Sequence, residues 1–161
     1  MIHDVNQQQI PSILSNATQI AYEKVKSLIL KIFSLIKEHV KQKNIKEEFY
    51  NSYIDFARKL KDEGHDEECY LYMSICEMYY RLIDRTDDLI SHEDFFTELF
   101  DAFDELLLIK INDSDKYEEK LIEFNLDFRK KRRYYYTQVA RPSKHYNESV
   151  LEEISSHLIR L

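Results

Sequence analysis

The chain has 161 residues, with 30 acids against 23 Lys and Arg and a formal net charge of −7. One Gly and two Pro leave too few turn formers for a sandwich or a barrel, and 12 Tyr with 9 Phe exclude a disordered chain, because that many rings require burial. No run of about eighteen apolar residues occurs, so no membrane span is expected.

Charge is segregated along the chain. Residues 1–46 carry 3 acids and 7 bases, residues 47–127 carry 24 acids and 8 bases, and residues 128–161 carry 3 acids and 8 bases. The middle is therefore net −16 between two basic ends, a patterned surface. The expected fold is all-α: a single-domain bundle of about six helices with a long central N-terminal helix. Residues 1–10 form a tail and 11–161 the domain. The opening MIHDVNQQQIPS lacks a basic stretch followed by an apolar one, so no signal peptide is expected. Cys69 and Cys76 lie seven apart on one helix, roughly 10 Å in rise and too far for a disulfide; they read as small buried hydrophobes in a reducing, cytoplasmic setting.

From Ser12 to about Gln42 the apolar positions Ile13, Ala17, Ile20, Ala21, Leu28, Ile32, Ile36 and Val40 recur at threes and fours, and Ile29, Leu30, Phe33 and Leu35 are expected to widen the buried face. A second helix runs from Ile45 to Glu63 with Phe49, Tyr53, Phe56, Ala57 and Leu60 inward. Gly64 suits the left-handed position after its end. Asp66 is expected to cap a third helix reaching Asp84, with Cys69, Met73, Cys76 and Tyr80 inward and Tyr72 and Tyr79 beside them.

The order Tyr53, Phe56, Ala57, Leu60, Gly64, Cys69, Met73, Cys76 resembles a single tetratricopeptide (TPR) repeat over residues 50–83, with Arg81 where that family places its closing Pro. No second copy occurs at the family's period of about 34 residues, and solenoids need about three. The resemblance implies helical-hairpin packing and a peptide-binding scaffold without catalytic residues.

Asp84 to Ile90 is expected to be a joint, and Ser91 to cap a helix continuing to about Ile111. Phe96, Leu99, Phe100, Phe103 and Leu107 share one face of it. At 100° per residue, Asp94, Glu98, Asp101 and Glu105 form a stripe on the opposite side. After a turn at Asn112–Asp113–Ser114, a long helix from Asp115 to Ala140 has the seam Tyr117, Leu121, Phe124, Phe128, Tyr135 and Val139. Arg132 falls on that seam, so the helix either frays there or buries a paired Arg. A last helix over 148–161, capped by Asn147, would turn Val150, Leu151, Ile154, Leu158 and Leu161 inward.

Spacing decides among the candidate chemistries. Glu47–Glu48 is followed by Asn51, and Glu118–Glu119 meets Glu123 one residue late, so neither matches the Glu-Glu-x-x-Glu metal run of helical nucleotide pyrophosphatases. Asp84, Asp87 and Asp88 reverse the Asp-Asp-x-x-Asp order of isoprenoid enzymes. Glu153 and His157 are four apart, not the three a di-iron bundle needs. The six histidines are scattered and no Gly-rich loop exists. No catalytic residue, metal or cofactor is assigned, and no enzyme activity is expected.

Two binding surfaces remain. The basic run Arg129, Lys130, Arg132, Arg133 followed by Tyr134 could hold phosphates and stack on bases, although the acidic chain opposes attraction to a polyanion. The simpler roles for this run are solvation or pairing with the chain's own acids. The stripe Asp94, Glu98, Asp101, Glu105 would steer a basic partner, with Tyr70, Tyr72, Tyr79 and Tyr80 as anchors if they are exposed. The expected function is therefore an acidic binding protein, an immunity- or antitoxin-type inhibitor that occludes a basic protein such as a nuclease toxin. A TPR-like adaptor or secretion chaperone binding a peptide, and a nucleic-acid binder using residues 129–136, are the alternatives.

Overall fold

The computed structural model describes residues 14–112 and 114–140. The expected tail at 1–10, the start of the first helix at Ser12 and Ile13, and the last helix over 148–161 lie outside the described residues. The described residues are all-α, with six α-helices and no strand: α1 (Asn16–Lys37), α2 (Ile45–Asp62), α3 (Asp66–Leu82), α4 (Thr86–Ser91), α5 (Glu93–Asn112) and α6 (Ser114–Tyr134), which continues into a π-helical turn (Tyr135–Val139). They fall into two compact units divided after Ser114.

In the first unit, α1 starts at Ser15, whose hydroxyl accepts from the Thr18 amide at 3.2 Å. Glu63, at the end of α2, reaches back to this cap. It accepts from the Ser15 amide and hydroxyl, each at 2.9 Å, and from the Thr18 hydroxyl. These bonds tie the start of α1 to the end of α2.

α1 stops five residues before the expected Gln42. His39 adopts φ 57°, its amide donates to Ile36 and the Val40 amide donates to Leu35. This is the paired-bond stop usually built on glycine. Ala17 and Ile20 are exposed, and so is Val40 beyond the stop; Ile29 and Phe33 are buried as expected, Leu35 is half-buried and Leu30 is exposed, and Thr18, Tyr22 and Val25 complete the buried face. α2 ends in the same way at the expected residue. Gly64 has φ 87°, its amide donates to Lys61 at 3.0 Å, and the His65 amide donates to Leu60 at 2.8 Å.

α2 lies between α1 and α3, and α3 also packs on α4 and α5. All five expected inward residues of α2 are buried. On α3 the buried arc is rotated. Tyr72, Cys76 and Tyr79 form one stripe and Leu71, Ile75, Met78 and Leu82 another, because helices cover two sides. Met73, expected inward, is exposed, and Tyr80 is half-buried. Asp66 is not the cap. His65 occupies that position without a side-chain capping bond, while Asp66, Glu67 and Glu68 fill the first turn, where carboxylates favour the helix dipole.

The expected joint at Asp84–Ile90 is largely helical. Asp87 and Asp88 occupy the first turn of α4, Arg85 Nε donates to Asp88 at 2.7 Å, and Leu89 is fully buried. Ser91 is the last residue of α4 rather than a cap. Its hydroxyl donates back to the Asp88 carbonyl at 3.0 Å, and α5 begins after His92. The core of this unit is aromatic. Tyr22, Phe33, Phe49, Phe56, Tyr72, Tyr79, Phe96 and Phe103 are all buried, and Tyr79 meets Phe33, Phe49, Phe96 and Phe100 at 5.2 to 5.6 Å between centroids. Edge-on pairs of this kind add about 0.5–1.5 kcal/mol each beyond burial.

The second unit opens with α6. Its seam is as expected: Tyr117, Leu121, Phe124, Phe128, Tyr135 and Val139 are buried. At Arg132 the helix does not fray. It runs on to Tyr134 and then widens, with the Ala140 amide donating to Tyr135 at 2.8 Å.

Candidate functional site

α5 carries the acidic stripe because its apolar residues are confined to one side. Phe96, Leu99, Phe103, Leu106 and Leu107 are buried, whereas Phe100 is half-buried. Asp94, Glu98, Asp101 and Glu105 lie on the other side, and all four are exposed. Among the described residues Asp94, Asp101 and Glu105 form no ion pair. The inner acids of the helix do pair: Glu93 with Lys37 at 2.7 Å and Asp104 with Lys26 at 3.3 Å.

The four tyrosines separate. Tyr70 is 56% exposed, and Tyr80 is half-buried with Lys46 Nζ 4.6 Å from its ring centre. Tyr72 and Tyr79 are core residues and not surface anchors. At 1% and 0% exposure they lie where α3 is covered on two sides. The Tyr79 hydroxyl donates to the Ile29 carbonyl at 3.1 Å, whereas the Tyr72 hydroxyl is buried with no oxygen or nitrogen partner among the described residues.

A feature that the sequence did not reveal lies between α1 and α5. It is a cleft of about 570 Å³ with Ile29, Phe33, Tyr72 and Phe100 in its lining and Leu30 at its lip. The Lys26–Asp104 and Lys37–Glu93 pairs span it from one helix to the other. The Tyr22 hydroxyl donates to Asp104 at 2.7 Å. Burial, and then the Asp104 carboxylate, push the Tyr22 phenol far above its usual range, so it stays a donor. The only signal for this cleft in the sequence was polar: Lys26 and Lys37 stand on α1 beside its apolar face, but nothing paired them with acids some 60 to 80 positions away.

A second polar cluster is buried. Glu68, 1% exposed, accepts from Lys110 Nζ at 2.9 Å, and the same ammonium lies 3.0 Å from His65 Nδ1. The cluster ties the start of α3 to the end of α5. Among the described residues no three His, Cys, Asp or Glu side chains converge as a metal site. Burial pushes both cysteine thiols up, strongly for Cys76, so neither is a ready thiolate. No described helix is long and apolar enough to cross a membrane.

On α6, Arg129, Lys130, Arg133 and Tyr134 are exposed. Lys131 is paired with Asp127 at 2.8 Å. Arg132 is half-buried, its Nε and Nη1 atoms lack hydrogen-bond partners, and its guanidinium lies 5.8 Å from the Tyr136 ring centre. Among the described residues the Arg is thus buried in part with neither the fraying nor the ion pair expected of it. Tyr135 and Tyr136 are buried, which leaves Tyr134 as the exposed ring of the three.

No family model, curated protein or solved structure matches this chain.

Proposed function

We propose that this chain is a binding protein that captures a basic protein partner through the outer face of α5, in the manner of an immunity- or antitoxin-type inhibitor occluding a nuclease toxin. The observation that carries this reading is the presence of Asp94, Asp101 and Glu105 on one accessible face without ion pairs among the described residues. Uncompensated like charge costs self-repulsion, and a cationic partner relieves it while being steered to the face. Tyr70, exposed on α3, is the anchor consistent with such an interface. The reading is tested by affinity capture from a native lysate at low and high salt, using the wild type and the triple substitution Asp94→Lys, Asp101→Lys, Glu105→Lys. A basic protein retained by the wild type, released by salt and lost in the triple variant supports it. Capture that survives charge reversal rejects it.

A second reading is nucleic-acid contact through Arg129, Lys130, Arg133 and Tyr134, favoured by the shared exposure of three cations and a ring on α6. Binding of single-stranded RNA with a steep salt dependence, lost in Arg129→Ala with Arg133→Ala, would favour it over the first.

A further inference from the structure

Apart from Asp101, which it shares with the first reading, the α1/α5 cleft is not needed by either reading. The geometry points to a binding site for a small organic cation, a molecule with an aromatic or branched apolar body and one ammonium or guanidinium group.

Size comes first. At about 570 Å³ the cleft falls within the roughly 300–1,000 Å³ that small-molecule sites occupy. One lysine or arginine side chain from a protein partner would leave most of it empty. The lining agrees with an apolar body. Ile29, Phe33 and Phe100 offer an apolar floor, and ring faces attract a cation that has lost water. Tyr72 belongs to the same lining, and its buried hydroxyl has no oxygen or nitrogen partner among the described residues, with the weakly bonding Cys76 thiol beside it. A buried hydroxyl without a bond is costly, and an N–H donor from a ligand would satisfy it.

Charge selects the sign. Three carboxylates, Glu93, Asp101 and Asp104, face two ammoniums, Lys26 and Lys37. Both lysines are already engaged across the cleft, and Asp104 also accepts from Tyr22. An anion would have to break those pairs to gain a partner. A cation has Asp101 at the lip, exposed and in no ion pair among the described residues, and leaves both bridges intact.

The test titrates the full chain with 2-phenylethylguanidinium, and in parallel with 3-phenylpropionate as an anion of similar size, by calorimetry and by backbone amide shifts. The expected result is saturable binding of the cation alone, with shifts confined to residues 22–37, 72 and 93–104. Asp101→Asn should weaken it about two- to fivefold, the range of a solvent-screened pair. Tyr72→Phe should weaken it about three- to tenfold, as for one lost hydrogen bond. Ser34→Trp, which fills the cleft from an exposed position, should abolish it while circular dichroism is unchanged. The inference is overturned if the cation does not saturate, if the anion binds equally well, or if folded Ser34→Trp binds the cation as the wild type does.

Discussion

Tyr72 and Tyr79 are two turns apart on α3, equally buried and equally aromatic, and they differ in one atom's surroundings. The Tyr79 hydroxyl donates to Ile29 at 3.1 Å; the Tyr72 hydroxyl has no oxygen or nitrogen partner among the described residues. Replacing each by Phe keeps the ring and its packing, so only the hydroxyl changes. Tyr79→Phe loses a buried hydrogen bond, and should cost about 1 kcal/mol. Tyr72→Phe removes a hydroxyl whose desolvation, worth about 1–3 kcal/mol, nothing in the fold repays; its Cys76 neighbour is at best a weak sulfur partner. Part of that cost returns, so Tyr72→Phe should be neutral or gain up to about 1 kcal/mol. The two variants should therefore lie about 1–2 kcal/mol apart, with Tm values separated by roughly 2–8 °C for a chain of this size. Urea unfolding read by circular dichroism measures this, provided the slopes agree. If Tyr72→Phe is as damaging as Tyr79→Phe, the Tyr72 hydroxyl is satisfied and the reasoning from it fails.

The helix ends give two further outcomes. His39 and Gly64 hold equivalent left-handed positions, but only Gly64 has the residue that suits it. His39→Gly should therefore stabilise by about 0.5 kcal/mol, the strain relieved less the entropy glycine loses, while Gly64→Ala should cost about 1 kcal/mol although a Cβ there meets nothing within 4 Å; equilibrium unfolding reads both. At Glu63, partial burial raises the carboxyl, but the bonds from Thr18 and Ser15 outweigh it and hold the group below the usual carboxylate range. A depressed value means stability that is complete above the unfolded value of about 4.3 and lost as pH falls through the folded one. Acid unfolding of Glu63→Gln should thus be shallower below about pH 4.3 than that of the wild type, and parallel curves would contradict the tie between α1 and α2.

Much of the fold was legible because period and chemistry agreed. In α2, five apolar residues at helical spacing ended at the one glycine, and each took its expected place. The stop of α1 was hidden because His39 is a poor left-handed residue and Val40 prolongs the apolar period past it. α4 was hidden because its charges look like a solvated joint, and only the burial of Leu89 gives that segment a reason to fold as a helix. On α3, spacing gave the stripe Cys69–Cys76 but not how many neighbours cover the helix, so Met73 was placed inside and Tyr72 and Tyr79 were considered for the surface. The acidic stripe of α5 follows from 100° per residue alone. The cleft does not, since Lys26 with Asp104 and Lys37 with Glu93 meet only once α1 and α5 are brought side by side.

Whether the free carboxylates of α5 recognise a cationic protein is decided by the affinity of the purified captured partner for the wild type and for the Asp94→Lys, Asp101→Lys, Glu105→Lys variant, measured across a salt series. The partner should be basic, and its binding to the wild type should weaken steadily with salt. Charge reversal should cost at least about tenfold in affinity (about 1.4 kcal/mol), with the helical signal unchanged. Equal affinity of both proteins for the partner, or an affinity indifferent to salt, would contradict recognition through α5.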